Sequence, residues 1–259
     1  MKVKLLNKYS VAALLMMVAA AGLIAIALIS SLSEFVTASF VISGMVCAMT
    51  GIFLITFSAG EPVDPRFVGI LPVQGCMNFF KIAVQLGIKG NAYFLPPRLT
   101  GETRVMQYNP SSTYSGGMIP GKDPLLDTSE RGLVTIPTCD PLIQALKKRH
   151  GLHVPHNKEQ VIQVLRETGG EIFELAPRVS VRWNANTITI TLKKYRFIEG
   201  CRVIAHEAPD SCIRSPCPVC SLFGALIAEG MDTAVTLEQC STSPMQEDLN
   251  ITWSIVADS

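Results

Sequence analysis

Apolar positions along the chain follow two different patterns. From Val11 to Ile29 every residue is apolar or glycine, and at about 1.5 Å per residue such a helix spans roughly the 30 Å of a hydrocarbon core. Phe35 to Gly60 carries no charge and is interrupted only by Thr and Ser, whose hydroxyls can bond back to the preceding helical turn. The pattern predicts two membrane spans, about 11–29 and 35–59, joined by a connection too short to hold a domain. Residues 1–60 then form a helical hairpin. Gly44, Ala48 and Gly51 fall at i, i+4 and i+7, a small-residue face suited to packing against the first span.

Beyond residue 60 the periodicity becomes that of a soluble domain. Glu61-Pro-Val-Asp-Pro65 reads as a linker. Arg66–Val73 reads as a buried strand, and Gln74–Ile88 as an amphipathic helix ended by Gly87 or Gly90. Short strands are expected at Asn91–Leu95 and Arg104–Tyr108, then a long loop over 109–131, then a strand at Gly132–Ile136. Asp140-Pro141 opens a helix whose end, Lys147-Lys-Arg-His150, complements the helix dipole, and Asn157 caps another running to about Thr168. Val179–Trp183 and Thr187–Lys193 form a hairpin around Asn184-Ala-Asn186. Glu199–Glu207 and Pro216–Glu229 read as helices, and Ala234–Glu238 and Leu249–Val256 as strands. This order predicts an α+β fold for residues 61–259, a largely antiparallel sheet with helices on one face. It forms either one domain or two subdomains dividing near residue 170.

Composition sharpens the division. Of 259 residues 48% are hydrophobic and 17% charged, which excludes a disordered chain. The mean hydropathy of +0.33 belongs chiefly to the first 60 residues. Their only charges are Lys2, Lys4, Lys8 and Glu34, leaving 19 Lys/Arg and 20 Asp/Glu for the body. That balance gives no electrostatic basis for binding nucleic acid. The lysines precede the first span and the short loop has none, so the N-terminus is expected in the cytoplasm. Two spans then return the body and C-terminus there, in a two-span protein of the cell membrane. If the first run were instead a cleaved signal peptide, the body would still be cytoplasmic. Neither span contains an ionisable residue, so an ion path or proton relay is not indicated.

The densest reactive cluster is Cys201, His206, Cys212, Cys217 and Cys220. In Cys217-Pro-Val-Cys220 two thiolates can converge on one ion, and Zn²⁺ or an iron–sulfur cluster then needs further ligands, which Cys212 and His206 or Cys201 can supply. The candidate metal ligands are therefore Cys212, Cys217, Cys220 and His206. Two other readings stand beside this one. Cys217 in the first turn of a helix would be an activated redox thiol, with a spacing similar to the C-P-x-C of glutaredoxin-type proteins. Alternatively the cysteines simply pack as small hydrophobes.

Other candidates carry less chemistry. Gly116–Lys122 matches a phosphate-binding loop for seven positions, then places Asp123 where Ser or Thr must ligate Mg²⁺. His150, His153 and His156 are spaced by three but separated by Gly151 and Pro155, and Cys139 precedes a helix without a partner base.

Two stretches, Glu130-Arg-Gly-Leu-Val-Thr-Ile-Pro-Thr138 and Phe173-Glu-Leu-Ala-Pro-Arg-Val-Ser-Val181 with the hairpin after it, resemble an uncharacterised family of membrane-anchored archaeal proteins with two N-terminal spans. The resemblance implies location and no activity. Leu222-Phe-Gly-Ala-Leu-Ile-Ala-Glu-Gly230 followed by Val235-Thr-Leu-Glu-Gln-Cys240 is similar to the tail of 4-vinyl reductase-type domains, which implies a small-molecule sensor. With no complete catalytic set, the expected function is a non-catalytic membrane-anchored domain binding a small molecule or a protein partner. The alternative is a metal-binding or thiol-redox protein using Cys212, Cys217 and Cys220.

Overall fold

The computed structural model describes residues 8–30, 33–58, 64–112, 114, 116–119, 132–243 and 246–256. Most of the linker and the end of the Gly116–Lys122 run lie outside the described residues. The chain divides into two compact units, Met1–Val63 and Asp64–Ser259.

The first unit consists of α1 (Lys8–Ile29) packed along α2 (Glu34–Ser58). Its hydroxyls bond as expected of apolar helices: Ser39, Thr50 and Thr56 donate to the carbonyls of Phe35, Val46 and Ile52 at 2.8–2.9 Å. Gly44 and Gly51 do face α1, where a Cβ would press on Ile24 and Met17. Among the described residues three helical stretches are long and apolar enough to cross a membrane: Val11–Ile29, Glu34–Thr56 and Phe67–Gln85.

The third stretch corrects the expectation of a strand at Arg66–Val73. It is helical, as α3 (Pro65–Ile70), a turn at Leu71-Pro72, and α4 (Val73–Gln85). Pro65 at the first helical position is pre-organised for a helix, and the amides of Phe67 and Val68 both donate to the Asp64 carbonyl. A short apolar run has no periodicity to separate strand from helix, so local capping decided it. α4 ends at Gly87, whose φ of +78° is left-handed, with Ile88 N–H bonded to Ala83 C=O and Gly87 N–H to Val84 C=O.

The remaining elements follow the expected order. They are β1 (Tyr93–Leu95), α5 (Pro97–Thr100), β2 (Met106–Pro110), β3 (Gly132–Thr135), α6 (Asp140–His150) and α7 (Lys158–Glu167). Then come one π-helical turn at Thr168–Ile172, β4 (Arg178–Asn184), β5 (Thr187–Lys193), α8 (Ile198–Glu207), α9 (Ser211–Arg214), α10 (Pro218–Met231), β6 (Val235–Thr242) and β7 (Leu249–Ile255). The Asn157 side chain accepts from Glu159 N–H at 2.9 Å, as a cap should.

Among the described residues seven strands form one sheet in the order β3-β2-β1-β6-β7-β5-β4, each neighbour antiparallel. Strands from both sides of residue 170 share it. One face carries Phe94, Val235, Leu237, Ile251, Trp253, Ile188 and Ile190 into the main core, which α10 closes. Over β5 and β7 the other face is polar, with Thr191 donating to Asn250 at 2.8 Å. The helices are not confined to one face, because α5, with Tyr114 and Ile119, covers Leu95, Met106, Tyr108 and Val134 on the reverse of β1–β3.

α10 lies close to the sheet because residue 224 is glycine. A Cβ there would collide with the Trp253 ring and come within 3.0 Å of Phe94, and these two rings already meet edge-to-face at 5.4 Å. Gly224→Ala is therefore expected to destabilise the body by about 1–3 kcal/mol through overpacking. Thermal unfolding of the full chain followed by circular dichroism should show a melting point lower by at least about 2 °C.

Candidate metal centre

Three elements bring cysteines to one place in the core. Cys212 lies on α9, a single turn between α8 and α10. Cys217 caps the start of α10 with extended backbone, and Cys220 occupies that helix's first turn, fully buried. Cys240 comes from β6, where the ladder to β7 slips: Leu237 pairs with Trp253 but Gln239 pairs with Thr252, leaving Glu238 as the extra residue of a bulge. In an unbroken ladder Cys240 would stand opposite Asn250 on the polar face. The bulge places it opposite Ile251, facing the core.

The segment from Cys212 to Cys217 is the end of α9 and a short irregular link to α10, and its carbonyls are held from three directions. Ala92 N–H donates to Ile213 C=O at 2.9 Å, Asn109 Nδ2 to Arg214 C=O at 2.7 Å, and Thr138 Oγ1 to Pro216 C=O at 3.0 Å. Asn109 is 1% exposed and is itself oriented by Gln107 Nε2, 2.9 Å from its Oδ1. Two amides that would be costly to bury alone thereby form a satisfied relay.

The result is a cluster of thiols. The sulfurs of Cys212, Cys220 and Cys240 all lie within 4.8 Å of one another, with Cys220 Sγ to Cys240 Sγ at 3.9 Å. All eight cysteines are free. Hydrogen bonds from the Cys220 and Cys240 thiols stabilise a Cys212 thiolate and hold its pKa well below the usual thiol value. Cys217 is lowered as well, chiefly by its hydrogen bond with Cys220. Those same hydrogen bonds keep Cys220 and Cys240 protonated and raise them. Cys201, from α8, is raised by burial and then by the neighbouring Cys217 and Cys212.

The structure therefore brings Cys212 and Cys220 together, sets Cys217 in hydrogen-bonding contact with Cys220, and adds Cys240. His206 is exposed on α8 and is not a member of the group. His150, His153 and His156 are also exposed, each apart from the cluster. Cys139 is fully buried and pushed up to about 12 by desolvation, so it is no activated nucleophile. In the sequence Cys240 stands only as the end of the Val235–Cys240 run, two residues beyond the expected strand, and is not joined there to the other thiols.

Beside the cluster is an apolar cavity of about 530 Å³, lined among others by Val68, Phe173, Tyr195, Phe197, Cys201 and Cys217. Cys217 thus touches both the cavity and the thiol network.

Fold and site together define an α+β domain with a buried polythiol centre, following an N-terminal pair of long apolar helices. The chain belongs to the family described as a domain of unknown function (DUF7982), which matches residues 8–254. No curated protein and no solved structure matches it.

Asn109→Leu leaves the Arg214 carbonyl without this donor and is expected to cost about 1–3 kcal/mol, read as a lower urea midpoint. The thiol directions give a second expectation. As pH is raised, a small alkylating reagent analysed by mass spectrometry should label Cys212 and Cys217 before Cys139, because their thiolates form at lower pH. Labelling of Cys139 first would contradict that ordering.

Proposed function

We propose that this chain is a membrane-anchored, non-catalytic binding domain whose body holds one thiophilic metal ion, Zn²⁺, on Cys212, Cys220 and Cys240, with Cys217 completing the set. The observation that carries the reading is the sulfur spacing. For Zn–S bonds of about 2.3 Å, the sulfurs of a tetrahedral site stand roughly 3.8 Å apart, and Cys220 and Cys240 are separated by 3.9 Å. An iron–sulfur cluster of four irons spreads its cysteines over separate metal atoms and needs a wider cage. The three converged thiols leave one tetrahedral position, and Cys217, beside Cys220, closes it as the fourth ligand, which gives the character of a structural or regulatory site.

The adjoining cavity favours a small apolar ligand over a protein scaffold role, since its lining is apolar and shared with Cys217. In this reading α1 and α2 span the membrane as a hairpin, and Lys2, Lys4 and Lys8 hold the N-terminus, and with it the body, on the cytoplasmic side.

Elemental analysis of the full chain purified anaerobically tests the metal. About one equivalent of Zn is expected, falling below about a tenth in Cys220→Ser and Cys240→Ser but retained in Cys47→Ser, whose thiol lies in α2. Less than about a tenth of an equivalent of Zn in the parent chain would sink the proposal. The pH dependence has a definite sign. Cys220 and Cys240 are held protonated and must lose protons to bind, whereas Cys212 already favours the thiolate. Affinity for Zn²⁺ should therefore rise with pH by about two orders of magnitude per unit, and chelator competition at several pH values measures it.

A further inference from the structure

Phe67–Gln85 has the length and hydropathy of a span, but it is not built as one. It breaks at Leu71-Pro72 between α3 and α4. α3 is locked to α8, where a Cβ at Gly69 would press on Phe197 and one at Gly200 would collide with the Gly69 carbonyl. α4 buries Val73, Cys76, Met77 and Ala83 in the body. The segment is thus two short helices docked on the sheet-bearing body, and a single straight helix across a bilayer would undo both contacts.

Its outward face nevertheless remains apolar. Phe67 and Leu71 are 67% and 78% exposed. Along α4, Gly75, Phe79, Ile82 and Leu86 follow at i, i+4, i+7 and i+11, and beside them Gln74, Asn78, Lys81 and Gln85 repeat the same spacing as an exposed polar row. Gln74 and Asn78 are hydrogen-bonded to each other at 2.8 Å. One helix thus carries three stripes: a buried face, an apolar row and a polar row.

We infer that α3 and α4 lie in the plane of a lipid bilayer surface, with the apolar row among the acyl chains and the polar row at headgroup level. Chain length points to this occupant. Residues 59–64 join α2 to α3, and at about 3.3–3.6 Å per residue they reach roughly 20 Å at most. A segment tied so closely to the end of a span cannot leave the membrane surface. The charge agrees in sign: from Pro65 to Gly90, across α3, α4 and the turn after them, the sequence has Arg66, Lys81 and Lys89 and no acidic residue, which suits anionic headgroups. The inference rests on α1 and α2 being membrane spans, and it fixes the topology, because a third crossing would put the body on the opposite side.

Depth measurements on the full chain in vesicles of phosphatidylcholine and phosphatidylglycerol test it. In a Trp183→Phe background the remaining Trp253 is fully buried, so Gly75→Trp and Ile82→Trp each report their own position. Lipids spin-labelled near the headgroup should quench both to within about twofold of each other, and more than lipids labelled near the chain end, as for a helix lying about 5–10 Å into the interface. In a spanning helix the two positions would differ in depth by roughly 10 Å, with residue 75 near the midplane. Stronger quenching of Gly75→Trp by the deep label overturns the inference in favour of a third span. No quenching at either position also overturns it, in favour of water or a protein partner on this face. Release of the full chain by alkaline carbonate would instead refute the anchoring itself, a failure that retention with no quenching does not share.

Discussion

The close approach of α10 to the sheet is the constraint on which the rest of the body depends. Gly224 lets the helix settle onto the edge-to-face pair of Phe94 and Trp253, and Phe223, Leu226 and Ile227 beside it are fully buried. The helix enters from the Cys217 cap, so its first turn, with Cys220, is delivered into the core and not to the surface. Overpacking at the glycine would lift that turn away from Cys240, which the sheet holds. Stability and site geometry therefore share one contact, and a change in packing is felt as a change in sulfur spacing.

The backbone carbonyls near this contact are paired, whereas the indole nitrogen of Trp253 and Nε of Arg214 are buried without a hydrogen-bond partner among the described residues. The end of α9 and the irregular link to α10 present carbonyls to the core, and Ala92, Asn109 and Thr138 supply donors from three separate elements. The thiols behave differently, because their hydrogen bonds to one another divide them into acidic Cys212 and Cys217 and protonated Cys220 and Cys240. A low-dielectric pocket makes such alternation strong, since one thiolate is stabilised by its neighbours' protons while several unscreened thiolates would repel. A dication placed among these sulfurs removes the conflict, which is the physical connection between burial of this cluster and its proposed occupant.

The N-terminal helices and the body present different surfaces, and the outward face of α3 and α4 carries features of both. Leu28, Ile42, Met45 and Phe53 are exposed on α1 and α2 with no polar face to set against them, the mark of helices with an apolar surround. Phe67, Leu71 and Ile82 expose apolar surface along α3, the Leu71-Pro72 turn and α4, whose other face packs into the core of the body. The π-helical turn at Thr168–Ile172, where a Cβ at Gly169 would come within 3.1 Å of Phe223, shows the same economy of space against α10.

Much of the architecture was legible in the chain because local chemistry settles it. Asn157 and Asp140-Pro141 mark helix starts, Gly87 marks an end, Asn184–Thr187 closes a hairpin, and long uncharged runs form apolar helices, each through interactions within a few residues. Arg66–Val73 was not legible, since an eight-residue apolar run suits strand and helix alike until Pro65 and the packing of Gly69 on Gly200 select one. Three of the four thiols of the cluster were legible as well: Cys217 and Cys220 are brought together by their spacing at the start of a helix, and Cys212 is near them in sequence. Cys240 and the exclusion of His206 depended on the tertiary structure. A bulge shifts alternation by one residue and turns Cys240 inward, while α8 packs Cys201 inward and leaves His206 in solvent. The chain alone determined what each segment could become, because propensity and capping are local; only folding decided which side chains meet, because strand register and helix rotation are set by packing across the whole sheet.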